Sequence, residues 1–151
     1  MIKNKIIIFF LFLFLSACGY QLVSNTANND IYIADYNLDG DKFINRILEK
    51  NFSKNNNITA KNRFTVNTFS TVEKIINSKN KSGESVALTI TINIKFEILK
   101  DNNIIKVLEL KDNNSYSASE NKFEQKQYER VLIENMVQNI LIIFYQNLIE
   151  I

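Results

Sequence analysis

The chain has 151 residues, with 18 Lys+Arg, 16 Asp+Glu, no His, no Trp, no Pro and one Cys. Without His there is no His-based triad, proton shuttle or His–metal site, and a lone Cys excludes internal disulfides and multi-Cys zinc sites. A formal charge of +2 with no arginine cluster excludes a nucleic-acid binder, while 46% hydrophobic residues suit one globular unit.

Lys3 and Lys5 precede an apolar run from Ile6 to Leu15, which Ser16-Ala17-Cys18 closes. A membrane-spanning helix needs about 20 apolar residues, so this shorter run suits the core of a secretory signal. Leu15-Ser16-Ala17-Cys18 has the form of a bacterial lipobox, in which cleavage after Ala17 leaves Cys18 as an acylated N-terminus. The alternative is an ordinary signal peptide cut after Ala17 beside an incidental cysteine. Gly19 stands where inner-membrane retention uses Asp, which sets the expectation of an outer-membrane, periplasm-facing anchor. One acyl chain holds only marginally, so the several chains of a bacterial lipoprotein (palmitate among them) make attachment effectively permanent. The expected division is 1–17 as signal peptide, 18–30 as lipidated N-terminus and tether, and 31–151 as one α+β domain. Once Lys3 and Lys5 are removed, basic and acidic side chains balance.

Ile31 to Tyr36 predicts a short strand. Asp35, Asn37, Asp39 and Gly40 match the opening of an EF-hand loop, but Arg46 stands where the bidentate Glu belongs, so a strand-to-helix turn is the expectation. Phe43, Ile44, Ile47, Leu48 and Phe52 recur at helical spacing, with Asp39 or Asp41 placed to cap the start. Phe64, Val66 and Thr68 predict a second strand, and Asn77 to Glu84 a loop. From Val86 to Ile98 apolar and polar residues alternate strictly, which predicts a long strand with one greasy and one polar face. Asp101-Asn102-Asn103 predicts a hairpin turn into Ile104 to Lys111, whose weaker alternation suggests a bulge or burial on both sides.

Ser117-Ala-Ser-Glu120 fits a capping box before a helix running to about Leu148. Within it Ile140 to Tyr145 is apolar on every side, so more than one neighbour must cover it. The sheet covers one face; either the first helix or a partner protein covers the rest. Leu141, Ile143, Phe144 and Tyr145 are therefore candidate partner contacts, as are Thr91 and Lys95 on the polar sheet face. The order strand–helix–strand–strand–strand–helix predicts a two-layer α+β fold, two helices on one face of a mostly antiparallel four-stranded sheet. Glu124, Glu129 and Glu134 lie among Lys126 and Arg130 as on a solvated face, and no phosphate loop or nucleophile elbow exists. The expectation is no enzyme, no cofactor and no metal.

Cys18-Gly19-Tyr20-Gln21-Leu22, the element order, and a closing block of Ser115-Tyr116-Ser117, Phe123, Tyr128-Glu129-Arg130 and Ile133 to Leu148 together resemble the outer-membrane lipopolysaccharide-assembly lipoprotein family, LptE. The closing helix is richer in Asn, Gln and large aliphatics than that family's Ala-rich pattern. The resemblance implies a plug inside an LptD-like outer-membrane β-barrel, needed for the barrel's assembly and for delivery of lipopolysaccharide to the outer leaflet, with direct binding of lipopolysaccharide. No family motif carries lipid-binding residues onto this chain. Lys95, Lys106 and Lys111 are candidates to pair with headgroup phosphates, against the alternative of solvated lysines on a sheet. The competing class is a stand-alone structural lipoprotein, or an accessory subunit of another envelope machine for barrel insertion or secretion.

Overall fold

The computed structural model describes residues 31–54, 60, 62–83 and 85–151. The signal peptide, Cys18 and the tether lie outside the described residues. The elements are β1 (Ile31–Gly40), α1 (Lys42–Phe52), β2 (Asn62–Lys79), β3 (Ser85–Lys100), β4 (Asn103–Ser117) and α2 (Lys122–Ile149). Four strands in the order β1-β2-β3-β4 make a mixed sheet, and both helices pack on one face, an α+β fold of the expected order. β1 pairs parallel to β2 through the α1 crossover, while β2, β3 and β4 form an antiparallel meander.

Alternation decides which face is covered. Leu88, Ile90, Ile92, Ile94, Phe96 and Ile98 of β3 are all at most 3% exposed and form the floor of the core. Each such side chain contributes about 1.5–3 kcal/mol by leaving water. Val86, at the end of the same series, is 41% exposed because it lies beyond the helical layer. Above the floor sit Ile44, Ile47, Leu48 and Phe52 of α1 and Met136, Val137, Ile140, Leu141, Phe144 and Leu148 of α2. Phe144 joins the layers, stacked on Phe96 at 4.5 Å and tilted against Phe52 at 5.8 Å.

Asp41 is the residue that caps α1, accepting from the N–H groups of Phe43 and Ile44 at 2.8 and 3.0 Å. The capping box is not used at α2: Asn121 is its N-cap, and Ser119 accepts from the Asn121 N–H at 3.2 Å. The hairpin turn carries positive φ at Asp101 and Asn102, the mirror-image geometry that matches strand twist. A register shift beside it, between Ile98 and Leu99, is the expected irregularity. β2 runs well past the expected strand, through Lys79, because the ladder to β3 satisfies its backbone although its residues from Glu73 onward are exposed. Asp35, Asn37 and Asp39 fall on alternate positions of β1, so they stand along a strand and not around a loop.

Candidate functional site

The strand period places Thr91, Asn93, Lys95 and Glu97 on the sheet face opposite the helices, flanked by Glu109 and Lys111 of β4. This open face is held by its own polar pairs. Asn77 donates to Thr89 at 2.7 Å, the Thr89 and Ser115 hydroxyls hydrogen-bond to each other at 2.6 Å, and Asn93 donates to Glu109 at 2.9 Å. Lys95 donates to Glu97 at 2.7 Å. That bond, with the attraction between the charges, raises Lys95 above the ordinary lysine range and lowers Glu97 below the carboxylate range. Thr91 is half-buried between Glu73 and Asn113 on the neighbouring strands.

The three candidate lysines do not share one surface. Lys95 and Lys111 lie on the open face, two residue pairs apart along the β3–β4 ladder. Lys106 points to the helical side, where its ammonium donates to the Asn147 carbonyl at 3.3 Å. A cation there complements the negative end of α2 and is spent on the fold. Lys106 therefore does not join the other two in holding a headgroup.

The apolar segment of α2 also divides. Leu141 and Phe144 are 2% and 0% exposed, so they are core side chains with no surface for a partner. The sheet and α1 cover them, which answers half of the excess apolarity from within the chain. Tyr145 is half-buried, edge-on to Phe144 at 5.2 Å, and burial pushes its hydroxyl up to about 12. Ile143 stays 44% exposed, and Ile142, not among the expected contacts, is 58% exposed. Val131, Ile142 and Ile149 form an interrupted apolar stripe on the outward side of α2, 11 and 7 residues apart, with Glu134, Asn135, Gln138 and Gln146 between them. Exposed apolar side chains aligned in this way are candidate partner contacts.

At the start of α2 the sequence pattern misled. Glu129 is not on a solvated face. Its carboxylate accepts from the Lys74 ammonium of β2, the Tyr116 hydroxyl of β4 and the Gln125 amide. Burial pushes Glu129 up, but these three bonds outweigh it and hold the carboxyl below its usual value. Burial and the same carboxylate push the Tyr116 hydroxyl well above its ordinary value. The signal was available only in three dimensions, since Lys74 and Glu129 lie 55 residues apart.

Among the described residues no group of His, Cys, Asp or Glu is placed to hold a metal ion, and no helix is long and apolar enough to cross a membrane. No protein-family model matches the sequence, and a search of curated proteins gives no match. Solved structures do match. The fold is similar to that of rare lipoprotein B from Shewanella oneidensis, with a TM-score of 0.55 at 10% identity, over 77% of this chain and 97% of that one. It is also similar to lipoprotein B from Nitrosomonas europaea, with a TM-score of 0.52 at 17% identity, over 82% and 88% of the two chains. The class defined is thus an α+β fold that bacterial lipoproteins use. At these identities the likeness is one of fold.

Proposed function

We propose that this chain is a lipoprotein anchored through Cys18 at the periplasmic face of the outer membrane, where it docks inside an LptD-like β-barrel. There it helps the barrel assemble and serves delivery of lipopolysaccharide to the outer leaflet; it is not an enzyme and uses no cofactor. The observation that carries this reading is the fold match to rare lipoprotein B across 97% of that protein, rare lipoprotein B being a name of the LptE family. Two surfaces support it. The open sheet face carries paired polar side chains, which a hydrated barrel lumen accepts, with Phe69, Ile75 and Val107 exposed among them. The outward stripe of α2 leaves apolar surface for a second contact.

The test is affinity capture of the full-length chain from its own membranes, combined with its depletion. The expected result is a large outer-membrane barrel in the captured fraction and reduced surface lipopolysaccharide on depletion. Capture of a barrel-insertion or secretion complex, with surface lipopolysaccharide unchanged, selects the accessory-subunit reading. No partner and no lipopolysaccharide defect select a stand-alone lipoprotein.

A further inference from the structure

The outer surface of α1 carries a row of cations that neither the core nor the proposed partner surfaces use. Lys42, Arg46 and Lys50 stand four residues apart on α1, so successive charges lie about 6 Å apart along one side of the helix, and Lys54 follows just past its C-cap, Ser53. All four are exposed, and none makes an ion pair or side-chain hydrogen bond with a described residue. Like charges at this spacing oppose helix formation, and Glu49 is the one acidic residue of α1. Only Arg46, three residues before Glu49, and Lys50, in the last turn, are favourably placed for the helix itself, and only weakly at an exposed surface. Beside it lies a groove of about 300 Å³ between α1 and α2, with Phe43 and Ile47 in its lining, Arg46, Lys50 and Lys54 along one wall, and Glu134 on the other. Arg130 of α2 adds a cation at its end, 5.2 Å over the Phe43 ring.

We infer that α1 and this groove dock on lipid headgroups whose phosphate leaves them net anionic, the cations meeting those phosphates at the surface of the membrane. Charge complementarity is one argument, since four unpaired cations in a row fit a surface of repeated anions. Reach is the other, and it rests on the anchored reading above. Thirteen residues, 18–30, join Cys18 to the start of β1, and they span at most about 45 Å. An anchor at Cys18 thus keeps α1 within range of the headgroup layer. The face is free because α1 turns its buried side, Ile44, Ile47, Leu48 and Phe52, to the sheet.

The test uses the chain from residue 18 with Cys18→Ser, so that no acyl anchor contributes. Sedimentation with phosphatidylcholine vesicles, with and without phosphatidylglycerol, reads the bound fraction. Binding is expected only to the anionic vesicles, to weaken as salt is raised, and to be insensitive to inorganic phosphate matched in total phosphate. Arg46→Glu with Lys50→Glu lowers it by at least about 25-fold, from about fivefold for each basic residue near an anionic surface. Glu134→Gln, which removes the opposing charge, raises it by about fivefold on the same scale. Lys79→Glu and Lys81→Glu, exposed at and just past the far end of β2 and outside every proposed contact, leave it unchanged. Absence of binding to anionic vesicles, or equal loss from the β2-end variants, overturns the inference. Acylation of the natural chain in cells is measured separately, so a failed anchor and a failed docking surface are told apart.

Discussion

At Gly40 the chain leaves β1 for α1 with φ of +97°, and a β-carbon there would lie 2.0 Å from the Ser70 carbonyl oxygen. The same corner is tied by Asp41 N–H to Ser70 and by Ser70 Oγ to Asn45, each at 3.0 Å. Only glycine fits both the backbone angle and the approach. Gly40→Ala is expected to lower stability by about 2–4 kcal/mol in denaturant unfolding. Gly83→Ala, with φ of +84° but open space around it, carries the angular strain alone and costs about 1 kcal/mol. Equal losses would show that contact with Ser70 is immaterial. Glu129 sets a pH dependence. Its folded value is depressed below the ordinary 4.5, so its contribution is complete above that value and lost as pH falls through the lower folded value. Glu129→Gln should remove about 1–2 kcal/mol near neutral pH and flatten the acid limb of the stability curve below pH 4.5. An unchanged acid limb would assign the acid sensitivity to other carboxylates.

The strands test how far periodicity reaches. Ile92 is 0% exposed between the helices and the sheet, and Ile92→Asp buries a charge without a partner. A loss of at least about 4 kcal/mol is expected from thermal or urea melts. Thr91, one residue along, faces the open side opposite Glu73. Thr91→Lys gains an opposite charge across the ladder and should change stability by less than about 1 kcal/mol. Comparable melts for the two variants would break the assignment of faces. This part of the fold was legible because a half-buried strand leaves a period-two record, and the same holds for α1 with its apolar spacing, although the choice of Asp41 over Asp39 as cap came from the structure. β2 was legible only through its buried residues Phe64, Val66 and Thr68, and Asn77 to Lys79, expected in a loop, belong to the strand. From Glu73 onward, ladder hydrogen bonds hold an exposed strand that no side-chain pattern announces. The cap of α2 was misplaced for a related reason: several polar residues between Ser117 and Asn121 can cap, and the exit of β4 decides among them.

For the molecule as a whole, the sequence revealed that α2 is too apolar to be covered on one side, but not which side remains. That depends on how α1 and β3 meet it, and Phe52, Phe96 and Phe144 settle the matter by converging on one face. The outward remainder is Val131, Ile142 and Ile149, with Ile143 at its margin. A docked barrel must therefore find α2 through those residues and the sheet through Thr91 and Lys95. Photo-crosslinkers placed singly along α2 in cells make the distinction. Positions 142, 143 and 131 are expected to trap the partner, while positions 141 and 144 trap nothing because their side chains are 2% and 0% exposed. Position 91 or 95 should trap the same protein if the open face lies against a lumen wall. Ile142→Asp should weaken capture at least tenfold while leaving the melt unchanged within about 1 kcal/mol, since an exposed position tolerates a charge. Crosslinks from the open face alone would leave the stripe on α2 without the role argued for it and give the whole contact to the sheet.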